Sequence, residues 1–139
     1  GILLTIGDFR YYVPIFSAKP KHQKMSNSLD FHKLQDESTG YLYAVLNINN
    51  MIPVPDNCLT QLKYNQVGSF RSFSNEKEKT DYVYLLQKEK ALIDNVQDTL
   101  QNKALKLYQK CIAKPDSSLA ARCCNFKMLE EKCSSYSDT

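Results

Sequence analysis

The stretch that decides the fold is Ile2-Leu3-Leu4-Thr5-Ile6-Gly7-Asp8-Phe9-Arg10-Tyr11-Tyr12-Val13-Pro14-Ile15-Phe16. Residues 2–6 form an apolar run of strand length. Gly7-Asp8 is a two-residue hairpin turn, because Gly accepts the positive φ that such turns need. Residues 9–16 return as a second strand rich in Phe, Tyr, Val and Ile. Pro14 has no N–H to give to a ladder and marks an edge or a strand end. The chain opens on Gly1 instead of Met and already inside a strand. This predicts a single domain over residues 1–139 whose native N-terminal segment is missing.

Outward from the hairpin, residues 17–27 read as a polar, basic loop in which Pro20 discourages regular structure, and residues 28–40 as a mixed polar stretch. Residues 41–48 (YLYAVLNI) form another strand. Asn49-Asn50 turns the chain, residues 51–54 continue as β, and residues 59–64 are a further short strand. Residues 69–79 are a charged linker. Beyond them Tyr82, Leu85, Leu86, Leu92, Ile93, Val96, Leu100, Ala104, Leu107, Tyr108 and Cys111 recur at helical spacing. Thr80 or Asp81 caps this segment and Lys114-Pro115 closes it, as one long helix or two in succession. A last helix begins with Asn125 as its cap. Strands first and helices after argue for α+β with an antiparallel sheet and a long helix in the C-terminal half.

The composition excludes several classes. With 42% hydrophobic and 24% charged residues the chain is globular in type, no apolar run approaches membrane-spanning length, and no secretory leader is recognisable. The five cysteines are odd in number and irregularly spaced, which fits reduced thiols of a cytoplasmic protein better than a secreted disulfide framework. Cys123, Cys124 and Cys133 lack a fourth ligand at zinc spacing. There is no phosphate-binding loop, dinucleotide fingerprint or Gly-x-Ser-x-Gly elbow. The net charge of +3 is unevenly placed: residues 10–33 carry Arg10, Lys19, Lys21, Lys24 and Lys33 against Asp30 alone. A local excess of this kind gathers phosphates, although a solvated basic loop has the same composition.

The chemistry that remains lies where the second strand ends, in Ser17-Ala18-Lys19-Pro20-Lys21-His22. Two residues apart, Ser17 and Lys19 point to one side if the strand geometry persists through Lys19. A hydroxyl and an ammonium side by side suit a phosphate: one donates to an oxygen, the other offsets charge on a pentacoordinate transition state. RNA supplies its own nucleophile in the 2′-OH, so positioning, charge stabilisation and proton transfer are all such a site needs. His22, or a lysine of lowered pKa, is the candidate to move protons. Ser-x-Lys is also common in loops without function.

Read in order, the segments resemble the ToxN/AbiQ family of endoribonuclease toxins from type III toxin–antitoxin systems. Residues 1–6 resemble the strand entering that family's active-site hairpin. Tyr12-Val13-Pro14-Ile15-Phe16-Ser17-Ala18-Lys19 resembles the strand that bears its hydroxyl and lysine. Ala44-Val45-Leu46-Asn47-Ile48 with Met51-Ile52-Pro53-Val54 resembles its next core strands. Residues 82–93 and Asn125-Phe126-x-x-Leu129-Glu130-Glu131-Lys132 resemble its long and C-terminal helices. The chain departs from the family at Phe16, Ala18 and Gln87, where relatives carry a threonine, a proline and an aromatic.

The resemblance implies a compact, barrel-like antiparallel sheet flanked by helices. It also implies RNA cleavage without a metal or other cofactor, often in A-rich sequence, leaving a 2′,3′-cyclic phosphate and a 5′-hydroxyl. Ser17 and Lys19 are then catalytic, and Lys21, His22, Lys33, Tyr82 and Lys88 bind RNA. Cellular or phage RNA is the substrate. The partner is a small antitoxin RNA that folds as a pseudoknot, alternating with the toxin in a closed assembly. The alternative reading is a non-catalytic RNA-binding protein for translational control.

Overall fold

The computed structural model describes residues 1–136. Six strands form two separate three-stranded antiparallel sheets. Strands β1 (Ile2–Ile6), β2 (Phe9–Val13) and β6 (Ile52–Val54) make the first, in the order β1-β2-β6. Strands β3 (Ile15–Ser17), β5 (Leu42–Asn47) and β4 (Phe31–Gln35) make the second, in the order β3-β5-β4. The expected barrel-like sheet is therefore incorrect, because neither sheet closes. Pro14 supplies the local reason: it lies between β2 and β3, and the two halves of the expected second strand join different sheets. The chain crosses back between β5 and β6 through a tight 3-10 turn over Ile48–Asn50.

The β1–β2 hairpin turns on Gly7 at φ 59°, as its sequence demands. Strand β4 falls in the stretch expected to be irregular, and residues 59–64 form no strand. The helical half contains α1 (Glu76–Asn95), α2 (Gln97–Ala113), the short α3 (Ser118–Ala121) and α4 (Phe126–Ser135). Helix α1 starts earlier than expected, capped by Asn75, whose side chain accepts the Glu78 N–H at 2.8 Å. The expected cap at Asn125 does form, accepting the Met128 N–H at 3.2 Å.

One core joins both sheets to the helices. Leu4, Ile6, Tyr11 and Val13 from the first sheet meet Leu34, Ala44 and Leu46 from the second, beneath Ile93, Leu100, Ala104, Leu107 and Phe126. Helix α1 lies against β4 and β5, and α2 against β1. The Gln101 side chain of α2 covers the free edge of β1, accepting the Thr5 N–H at 3.1 Å and donating to the Thr5 carbonyl. No helix among the described residues is long and apolar enough to cross a membrane.

Candidate active site

Ser17 ends β3, an outer strand of its sheet, opposite Ala44 of β5. Its side chain is exposed. Two residues on, Lys19 is also exposed and opens a 3-10 turn over Pro20–Lys24. Two hydrogen bonds tie this turn to Lys19. The Lys19 N–H donates to Nδ1 of His22 at 2.9 Å, and the His22 N–H donates to the Lys19 carbonyl at 2.9 Å. The His22 ring is buried and tilts against Phe31, centroids 5.7 Å apart. Because Nδ1 accepts, the neutral ring carries its proton on Nε2. Desolvation, with the Lys21 and Lys19 charges beside it, holds the His22 pKa below its ordinary value. His22 thus orients the Lys19 backbone and has no acceptor nitrogen free for proton abstraction.

Lys33 is likewise engaged within the protein. Its Nζ donates to the Met25 carbonyl at 3.0 Å and the Gln23 carbonyl at 3.3 Å, and its N–H donates to the Asn27 side chain at 2.8 Å. These bonds fasten the basic loop across β4. Lys21 remains exposed on the loop's turn. Beneath the loop, Phe31, Leu42, Val45 and Ala18 form a small second apolar cluster, so the loop rests on its own core.

Lys88 lies half-buried on α1, its Nζ 5.4 Å from the Tyr84 ring centroid. The Asp36 carboxyl, just past β4, is held below its usual range by the Thr39 backbone N–H, the Ser38 N–H and, more weakly, the Lys88 charge. Asp36 follows the end of β4 that faces the Ser17 end of β3 across β5, since Leu34 and Ser17 both pair with Ala44. Ser17 and the turn at Asp36 thus lie toward one end of the second sheet, and α1, which carries Lys88, packs against β4 and β5 of that sheet. Tyr82 belongs to another patch, about 9 Å back along α1 at helical rise. The Arg71 guanidinium sits 4.6 Å from its ring centroid and Phe73 packs beside it at 5.5 Å. Arg71 also lines a cleft together with Phe73, Glu76 and Lys79. Charges of both signs there make it unlike a simple phosphate site.

The reading from sequence singled out neither Arg71 nor Tyr84, which the structure sets beside Tyr82 and Lys88. The Tyr84/Lys88 pair carried a signal, four residues apart on one helix face. Arg71 had none, because its approach to Tyr82 depends on how residues 64–73 fold back on α1. No group of three or more His, Cys, Asp or Glu side chains converges as a metal-ligand set among the described residues.

Comparisons with known proteins bear on the chain as a whole. Endoribonuclease AbiQ of Lactococcus lactis subsp. lactis is 27% identical over 146 aligned residues, spanning 99% of this chain and 72% of AbiQ. Endoribonuclease ToxN of Bacillus thuringiensis subsp. kurstaki is 28% identical over 145, spanning 99% and 68%. A solved structure from work on selective toxin inhibition by a non-coding RNA pseudoknot superposes with a TM-score of 0.74 at 27% identity, over 96% of this chain and 76% of that one. The family model described as Toxin ToxN, type III toxin–antitoxin system, matches residues 1–134. By that match the chain belongs to the ToxN family of type III toxin–antitoxin toxins, whose relatives here are endoribonucleases.

Proposed function

We propose that this chain is a sequence-selective endoribonuclease toxin that cuts RNA without a metal ion at Ser17 and Lys19. The observation that carries the reading is the exposed pair at the end of an outer strand, with the Lys19 backbone fixed by His22. The substrate's 2′-oxygen bonds to phosphorus as the bond to the 5′-oxygen breaks. The proton lost at the 2′-oxygen is balanced by one gained at the 5′-oxygen, giving a 2′,3′-cyclic phosphate and a 5′-hydroxyl. The Ser17 hydroxyl donates to a non-bridging oxygen, and the Lys19 ammonium stabilises charge on the pentacoordinate phosphorus. Lys21 and Lys88 hold flanking phosphates, and Tyr82, farther along α1 with Arg71 against its ring, contacts RNA through its aromatic face and not as a phosphate site. His22 and Lys33 keep the loop in place. A small pseudoknot antitoxin RNA occupies the same surface and alternates with the toxin in a closed assembly.

The test is to incubate the protein with an A-rich RNA in EDTA and map the product ends. The reading expects cyclic-phosphate ends from the wild type, and loss of cleavage of at least a hundredfold in Lys19→Ala with an unchanged circular dichroism spectrum. Undiminished cleavage by Lys19→Ala contradicts the assigned role. Tight, salt-sensitive binding with no product would return the non-catalytic reading.

A further inference from the structure

Tyr41 and Tyr43 are used by neither apolar cluster. Their rings meet edge to face, centroids 4.6 Å apart, and Tyr41 is 61% exposed. An aromatic pair of this kind, held together but left in water, has stacking area to spare.

Its position is set by an irregularity in the second sheet. Leu34 pairs with Ala44 and the next residue, Gln35, pairs with Leu42, so Tyr43 is the extra residue on β5. A bulge interrupts the alternation of side chains and re-aims the one it carries. Ala44 is also the cross-strand partner of Ser17. Tyr43 is therefore one residue from Ser17's partner, with Cα atoms about 6 Å apart by ordinary sheet spacing. Tyr41 caps the same hairpin, where its carbonyl accepts the Asp36 N–H at 2.9 Å. Asp36 feels the Lys88 charge. The tyrosine pair and the end of β3 that carries Ser17 thus lie toward the same end of the second sheet.

We infer that Tyr41 and Tyr43 form a base-stacking platform for the nucleotide next to the scissile phosphate. The inference rests on the RNA-cleaving reading of Ser17 and Lys19 and adds to it a subsite for a nucleobase. Stacking on a tyrosine tolerates any base, so the platform contributes affinity and alignment more than sequence choice. Its nearness to Ser17 turns that affinity into placement of the 2′-OH for attack.

The test uses an A-rich RNA oligonucleotide carrying 2-aminopurine beside the cut site, with two readouts. Fluorescence of the probe should be quenched on binding wild-type protein and on binding Tyr41→Phe, which keeps the ring. Tyr41→Ala, at an exposed position that leaves the core intact, should abolish most of the quench and raise KM roughly tenfold, the scale of one lost base stack. Tyr43→Ala should act in the same direction. A wild type that cleaves while both alanine variants keep KM within twofold and the full quench overturns the platform alone. A wild type that quenches through Tyr41 without cleaving supports the platform and overturns the catalytic reading. No quench by the wild type overturns the platform whatever happens to the RNA.

Discussion

Lys19 and His22 show how one hydrogen bond separates a positioning residue from a reactive one. The Lys19 N–H occupies Nδ1 of His22 at 2.9 Å, leaving the imidazole only a donor. His22→Ala should therefore lower kcat/KM about tenfold, the scale of one lost hydrogen bond, and His22→Asn, whose side-chain oxygen can accept the same N–H, should restore most of it. A pH–rate profile for wild type that breaks near the ordinary histidine value and loses that break in His22→Asn would instead make His22 the proton carrier. The second histidine controls stability. His32 is buried on β4, and the Lys103 ammonium donates to its Nδ1 at 2.8 Å. Burial, and then the Lys103 charge, push its pKa from 6.5 down to about 4. Unfolded, His32 binds a proton as pH falls below 6.5, whereas the folded protein does not until about 4. Its contribution is thus present in full above pH 6.5 and lost as pH falls toward 4, on the order of 2–3 kcal/mol. Urea unfolding at pH 7 and pH 5 should show this slope, and His32→Phe should flatten it.

At the scale of elements, the hairpin around Gly7 and the cap at Asn125 were readable because each rests on one residue's local chemistry. Strand β4 was not. Phe31-His32-Lys33-Leu34-Gln35 lacks β-branched residues, and its polar members gain partners only through tertiary contacts: Lys103 for His32, the Gln23 and Met25 carbonyls for Lys33. The bonds by which Lys33 fastens the basic loop were hidden for the same reason, and so was the placement of Tyr43, which follows from a bulge. The choice between one helix and two was also tertiary. Run straight, residues 76–113 would span about 57 Å, beyond the ~30–40 Å width of a domain this size. Val96 leaves the helical region at φ −122°, ψ 17° and redirects the chain from the second sheet to the first. There Gln101 seals the edge of β1. Gln101→Ala should cost about 1 kcal/mol in denaturant unfolding and speed hydrogen exchange at Thr5, whose N–H loses its acceptor. Unchanged exchange at Thr5 would show that Gln101 does not guard this edge.

Across the whole molecule, two open sheets act as one body because they share one core with the helices, α1 against the second sheet and α2 and α4 against the first. Tyr11, fully buried on β2, donates to Glu130 at 2.8 Å, and Tyr108 of α2 donates to the other oxygen of that carboxylate at 3.0 Å. The Tyr11, Tyr108 and Phe126 rings pack together with centroids 5.7–6.0 Å apart. Tyr11→Phe keeps the ring and removes one donor to a buried carboxylate, which should cost about 1–3 kcal/mol without moving the site. Thermal unfolding gives the stability change, and the cleavage rate of the folded variant should match wild type; a proportional loss of activity would mean that the clamp shapes the site. The central claim concerns the chemistry at Ser17 and Lys19, and the most direct measurement replaces one atom of the substrate. An RNA with a single 2′-deoxy nucleotide on the 5′ side of the mapped cut should be bound as tightly as the all-ribose strand and left intact. Cleavage of the deoxy-substituted RNA at that position would contradict the account, because the attacking group would then come from somewhere other than the substrate.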